Sequence, residues 1–208
     1  MKKILQTMIL TATLCLTLEA QELFTEVQAA LVQDGPLHTF RVVGDREEGA
    51  FSAYGILIIA PNGDEQMVDE FDSLLPDGSE ADALIVEDLN FDGYSDMRIM
   101  KYALGGSNIN YYYWLYDPIS SAFQSSSNLE VLVSPEVDRV NQEILSRSKL
   151  NANSYLVEYY KAEGGVLTMV RKDEKTYNPD GSGTLKRTQA NPDGTWQVLE
   201  TRNLNPGE

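Results

Sequence analysis

The chain is poor in the residues that build most compact chemical centres: among its 208 residues there is one cysteine and one histidine. A disulfide framework, a Cys/His zinc site and any catalytic design needing two of either residue are therefore excluded. Bases are scarce as well. Sixteen Lys and Arg stand against 32 Asp and Glu, and a net charge of −16 excludes electrostatic capture of nucleic acid. The remaining chemistry belongs to carboxylates, hydroxyls, Lys, Tyr and hard metal ions, and the fitting charged partners are cations or basic proteins. Apolar residues make up 42%, with six Phe, two Trp and eleven Tyr, enough for one core of ordinary domain size.

Lys2 and Lys3 precede an apolar stretch from Ile4 to Leu18 that carries no charge until Glu19. This pattern predicts a secretory signal over 1–20, cut after Ala20, and it is too short to span a bilayer. Leu18 is larger than the small residue usual two places before a cut. Cys15 lies in this stretch, and Leu14 before it is a poor match to a lipid-attachment box. Loss of the leader takes away Lys2, Lys3 and Glu19, so the mature chain is more acidic still and its expected place is periplasmic or secreted.

Leu23, Val27 and Leu31, spaced by four and followed by Gly35, predict a short N-terminal helix. Beyond it the chain reads as all-β. Strand-like runs cover 39–43, 51–60, 83–87, 97–103, 111–116, 143–148, 155–161, 166–172, 184–188 and 196–202. Four Pro-Asp/Asn-Gly turns separate some of them, beginning at Pro61, Pro76, Pro179 and Pro192; Pro presets φ and Gly accepts positive φ. Antiparallel sheets in a sandwich-like or propeller-like arrangement are expected over 21–176. The more polar 177–208 is expected to be a hairpin or tail, and its two similar Asn-Pro-Asp-Gly segments read as two hairpins of one make.

The sharpest motif is Asp88-Leu-Asn90-Phe-Asp92-Gly93-Tyr94-Ser-Asp96. It sets oxygen side chains at alternate positions of a tight loop, as a hard cation with six to eight oxygen ligands requires. The expected calcium ligands are Asp88, Asn90, Asp92, the backbone carbonyl of Tyr94, and Asp96. Position twelve of the loop is Ile99 rather than the bidentate Glu of an EF-hand, and both flanks read as strands. The site is thus a calcium loop between two strands, structural rather than catalytic; the alternative is an Asx-rich turn without metal.

Gly105-Gly106-Ser107-Asn108 leads into Tyr111-Tyr-Tyr-Trp-Leu-Tyr116. Alternation puts Tyr111, Tyr113 and Leu115 on one face and Tyr112, Trp114 and Tyr116 on the other. Either this is a central strand buried on both faces, or Gly105, Gly106, Ser107 and Asn108 with Tyr112 and Trp114 form a partner-binding edge. Paired acids such as Asp69-Glu70 and Glu47-Glu48 are of the residue type that serves glycoside hydrolysis but in a chain this acidic read as a solvated face. His38 lacks a partner for catalysis. No catalytic residue is assigned, and a non-enzyme is expected.

The run 87–98, the Gly-Gly loop, Tyr111 to Pro118, Phe123, Asn128-Leu-Glu, Ser134-Pro135, Tyr159 and Gly165-Val-Leu-Thr together resemble the calcium-binding immunity proteins of the bacterial periplasm. Those proteins protect against peptidoglycan-hydrolase toxins and are related in fold to periplasmic lysozyme inhibitors. The resemblance covers roughly Ala83 to Lys172. It implies an all-β fold, Asp88, Asn90, Asp92 and Asp96 as ligands of Ca2+, and stoichiometric blockade of a hydrolase cleft. It does not identify inhibitory residues, because the Ser-Gly loop bearing a Tyr has only an approximate counterpart in 105–108. A basic peptidoglycan hydrolase or lysozyme-like protein is the expected partner. The competing readings are a calcium-dependent extracellular adhesion or surface-structural module, and a carboxylate enzyme on a β scaffold.

Overall fold

The computed structural model describes residues 21–102, 108–163 and 166–208. The expected leader over 1–20, including Cys15, lies outside the described residues. Fifteen strands follow in order: β1 Glu22–Ala30, β2 Leu37–Glu47, β3 Ala50–Ile59, β4 Glu65–Val68, β5 Ser73–Pro76, β6 Leu84–Glu87, β7 Asp96–Tyr102, β8 Asn110–Asp117, β9 Ala122–Ser125, β10 Glu136–Asp138, β11 Glu143–Asn151, β12 Ser154–Glu163, β13 Val166–Tyr177, β14 Gly183–Ala190 and β15 Trp196–Leu204. A 3-10 turn, Ser127–Val131, links β9 to β10. Among the described residues no helix is long and apolar enough to cross a membrane.

The expected N-terminal helix is a strand. A spacing of four satisfies a strand face, period two, as well as a helical one. The residues between decide: Glu26 and Gln28 are exposed, while Thr25, Val27 and Ala29 turn inward and Leu31 is buried. A bulge between Leu23 and Thr25 resets the phase, so Phe24 is buried and Leu23 is left on the surface.

The strands form two sheets. The first runs β1-β2-β3-β5-β7-β8-β9, with β4 added to β3 and β6 to β7; the second is a meander, β10 to β15. Pairing is antiparallel except for the short β5–β7 contact at Leu74 and Tyr102. Two long strands organise the first sheet by dividing one edge between two partners. Ala50–Ala53 of β3 pairs with β5 and Ile56–Ile59 with β4. Likewise β7 gives residues 96–99 to β6 and Tyr102 to β5. One continuous core draws on both sheets, with Phe40, Phe51, Ile56, Met97, Ile99 and Tyr113 from the first and Ile144, Tyr160 and Ala162 from the second. Each such side chain fully withdrawn from water contributes roughly 1.5–3 kcal/mol.

Buried polar groups join the sheets. Arg98 on β7 pairs with Glu87 at 2.7 Å, lies 4.6 Å from the Tyr111 ring centroid, and donates to the Pro135 carbonyl at 3.2 Å, just before β10. The Ser146 hydroxyl on β11 accepts from Val133 N–H at 3.0 Å. The two C-terminal turns share one bond pattern: Asp180 Oδ1 takes the N–H and hydroxyl of Ser182 at 3.0 and 2.6 Å, and Asp193 Oδ1 takes those of Thr195 at the same distances. The hairpin of β14 and β15 continues the second sheet from β13, and the Tyr177 hydroxyl donates to the Glu208 carbonyl at 3.0 Å.

Gly44 sits at the bulge between β2 and β3, where a Cβ would lie 2.0 Å from the Ser52 carbonyl oxygen, a backbone atom that cannot turn aside. Gly44→Ala is expected to destabilise the fold by roughly 2–3 kcal/mol or more. Gly49→Ala, at a positive φ of 75° with open space around it, is expected to cost only about 1 kcal/mol. Urea denaturation of the two variants checks the order.

Candidate functional site

The loop 88–95 joins β6 to β7, two strands paired from Leu84–Ile99 to Glu87–Asp96. Its conformation follows from its acids and amides. Asp88 Oδ2 accepts from Gly93 N–H at 3.0 Å, Asn90 Oδ1 from Asp92 N–H at 3.1 Å, and Asp92 Oδ1 from Tyr94 N–H at 2.9 Å. The Asn90 amide donates to Asp92 Oδ2 at 2.9 Å. These Asx bonds close the chain on itself, and φ of 60° at Phe91 and 90° at Gly93 supplies the bends. For a bulky residue such as Phe91 the left-handed region costs about 1–2 kcal/mol. Its ring packs against the core in return, beside the fully buried Leu89.

Asp96 behaves differently from the rest of the motif. It is fully buried; Oδ2 accepts from Leu89 N–H and Oδ1 from Tyr116 N–H, both at 2.9 Å. One carboxylate thus ties the loop to β8. Burial pushes its pKa up to about 7 against these two bonds, and the charges of Asp92 and Asp88 add to the rise. Ser95 anchors the loop on the end of β1, donating N–H to the Leu31 carbonyl at 2.7 Å and its hydroxyl to that of Ala30 at 2.9 Å.

The structure therefore brings Asp88, Asn90 and Asp92 together at the mouth of the loop and turns Asp96 inward. Among the described residues no group of three or more His, Cys, Asp and Glu side chains is placed to hold a metal ion. The donor set itself suits a hard cation, being all oxygen, and Asp88 Oδ1 is buried without a hydrogen-bond partner. Two clefts of about 340 and 300 Å3 flank Phe91, and Lys161 of β12 with Arg139 and Gln142 of the turn between β10 and β11 face the loop across them. Sequence spacing held no signal for these three residues, because the sheet topology alone delivers them.

Of the residues expected at a partner-binding edge, Gly105, Gly106 and Ser107 lie outside the described residues. Asn108 is a joint between the sheets: its amide donates to the Lys149 carbonyl at 3.1 Å and accepts from Lys149 N–H at 2.8 Å. Strand β8 is covered on both faces, with Tyr111, Tyr113 and Trp114 buried. Trp114 and Tyr112 nonetheless line a cavity of about 280 Å3 with Phe71, whose ring centroid is 5.3 Å from Trp114 and 5.8 Å from Tyr112. Its rim carries Asp69, Glu70 and Glu130. Glu70 holds a φ of 64°, and Glu130 pairs at 2.6 Å with Lys101, whose ammonium lies 4.4 Å from the Tyr112 ring centroid. The acids of 69–70 were visible in the sequence as a solvated pair; their position over an aromatic wall was not.

For Asp96 the folded pKa exceeds the ordinary 3.8, so its protonated form favours the fold. Stability is highest below pH 4 in this respect and falls as pH rises through 7, by roughly 4 kcal/mol in full. Urea denaturation in chelator at pH 5 and pH 8 is expected to show the loss. Asp96→Asn is expected to remove that slope while leaving one backbone N–H unpaired, at a cost of about 1–3 kcal/mol.

No protein-family model matches the sequence, and no curated protein matches it significantly. Among solved structures, a Xanthomonas type IV secretion system related protein matches with a TM-score of 0.62 at 13% identity, over 84% of this chain and 93% of that one. A Bacteroides fragilis protein of unknown function matches with a TM-score of 0.33 at 9% identity, over 87% and 92% of the two chains. The Xanthomonas likeness shows a shared all-β fold.

Proposed function

We propose that the protein is a secreted, calcium-stabilised binding protein, not an enzyme, that blocks the cleft of a basic peptidoglycan hydrolase. The observation that carries this reading is the acid-rimmed aromatic cavity over β8. Tyr112, Trp114 and Phe71 provide an apolar and π-rich wall, and Asp69 and Glu70 provide negative charge at its mouth, Glu130 being paired with Lys101. A guanidinium or ammonium from a partner fits that combination, and Lys101 on Tyr112 is the chain's own example of it. A net charge of −16 steers a basic partner toward it at low salt. The resemblance of 83–172 to periplasmic immunity proteins supplies the hydrolase, and the secretion-system relation of the Xanthomonas neighbour agrees with a role outside the cytoplasm.

In the same reading the loop 88–96 takes Ca2+ through Asp88, Asn90, Asp92 and the Tyr94 carbonyl, with the unpartnered Asp88 Oδ1 as the oxygen in most need of a cation, while Asp96, expected as a further ligand, is turned inward to hold the Leu89 and Tyr116 N–H groups. A hard divalent ion would offset the repulsion among three carboxylates and hold the loop that Asp96 ties to β8. The metal's role is structural.

Two measurements test these statements. Calcium at a hundred times its Kd is expected to add about 2.7 kcal/mol of stability, and Asp92→Ala to abolish the gain; calorimetry with no calcium binding at millimolar concentration refutes the site. In wall-lysis turbidity assays with several basic hydrolases, excess protein is expected to stop at least one. Asp69→Lys/Glu70→Lys, both exposed, is expected to weaken that inhibition about tenfold or more. Undiminished lysis by every hydrolase class sinks the proposal.

A further inference from the structure

The second sheet carries a groove of opposite character. Arg147 and Lys149 of β11, Tyr155 and Val157 of β12, and Lys175 and Tyr177 of β13 line a concavity of about 590 Å3 that no Asp or Glu enters. The register puts Lys149, Tyr155 and Lys175 in one cross-strand row, so Tyr155 lies between two lysine-bearing positions. Lys149 Nζ lies 5.8 Å from the Tyr155 ring centroid, and Tyr177 meets Tyr155 edge to face at 5.9 Å. Arg147 is neutralised by Glu136 at 2.7 Å. The lysine ion pairs among the described residues belong to Lys101, Lys172 and Lys186, which leaves Lys149, Lys161 and Lys175 without one in a chain holding twice as many acids as bases; Lys161 faces the 88–96 loop, and Lys149 and Lys175 share this groove. The half-buried Lys175 is the more telling of the two, since partial desolvation of an ammonium is tolerated best with an anion beside it.

We infer that this groove binds an acidic sugar chain, a polymer of carboxylate-bearing pyranose units. Charge complementarity calls for an anion, and the Tyr155 ring in the same cross-strand row as the two lysines favours a sugar, whose C–H face stacks on an aromatic ring. A peptide added as a further strand would need a free edge, and here none is offered; a peptide held by side chains alone is the competing occupant that poly-glutamate tests. β12 and β13 are paired on both sides, and β11 at this level is already bonded from Arg147 N–H to the Val133 carbonyl and from Lys149 N–H to Asn108. Recognition falls to side chains alone: the Tyr155 ring takes the C–H face of a pyranose while Lys149 and Lys175 take the carboxylates of neighbouring units. The inference stands apart from hydrolase blockade, whose cavity lies on the first sheet.

Calorimetric titration with hexagalacturonate at low salt tests it, with a neutral glucose hexamer and a poly-glutamate of equal charge as comparisons. Binding of the acidic sugar alone is expected, weakening with salt. Lys149→Gln/Lys175→Gln is expected to lower affinity about tenfold or more, and Tyr155→Leu to lower it several-fold, with unchanged melting temperatures. Asp69→Lys/Glu70→Lys is expected to leave this binding intact even where it ends hydrolase inhibition. Absence of binding, an unaltered affinity in the double lysine variant, or equal affinity for poly-glutamate overturns the proposal.

Discussion

Asp96 is withdrawn from water at the first residue of β7, and its two oxygens hold backbone N–H groups from opposite directions, Leu89 in the loop and Tyr116 at the end of β8. A single short side chain therefore fixes where the loop stops and how far β8 extends beside β7. Two residues on, Arg98 repeats the device with the other sign, drawing Glu87 of β6, the Tyr111 ring of β8 and the carbonyl of Pro135 onto one guanidinium. Buried charges of this kind add little net stability, because desolvation consumes most of the Coulomb gain. Their effect is on geometry: loss of either leaves polar partners stranded in the core, so neighbouring arrangements of loop, strand and sheet are disfavoured together.

Much of this framework was legible in the residues. Each of the ten strand-like runs falls on a strand to within a residue at its ends, Ala103 lying outside the described residues, since alternation and β-branched or aromatic content are local signals. The glycines of the four Pro-Asp/Asn-Gly turns, at 63, 78, 181 and 194, take φ of 90°, 86°, 84° and 82°. The paired C-terminal hairpins share their side-chain bonds as well as their sequence. What escaped was short or doubly coded. Strands β4, β5, β9 and β10 are three or four residues long and exist because a longer neighbour offers them an edge. The Leu23, Val27, Leu31 spacing suits either period, and only the exposed Glu26 and Gln28 between them separate the two.

The candidate site divides along the same line. Oxygen spacing in 88–96 announced a closed loop, and the loop is closed, by Asx bonds that run within five residues. The inward turn of Asp96 was not announced, because it depends on Tyr116, twenty residues away. Nor was the fate of the aromatic strand. Alternation sorted its rings correctly into two faces but was silent on coverage, which comes from Phe71 on one side and the second sheet's side of the core on the other. Asn108 shows the limit most plainly: a polar residue beside a Gly-rich loop reads as a contact for a partner, yet its amide substitutes for a missing strand beside Lys149.

Net charge is a property of the whole chain, whereas recognition depends on where the charges stand. An excess of sixteen acids says that most bases should find carboxylates, and most do, as the ion pairs of Arg41, Arg46, Arg98, Arg147, Arg187 and Arg202 illustrate. The departures carry the information. Lys149 and Lys175, without ion pairs, stand beside Tyr155 and Tyr177 on the second sheet, and Asp69 and Glu70, likewise without them, line the cavity of Trp114 and Tyr112 on the first. In a chain free to neutralise its lysines from a surplus, two unpaired lysines flanking one tyrosine across neighbouring strands describe a surface shaped for an anion from outside.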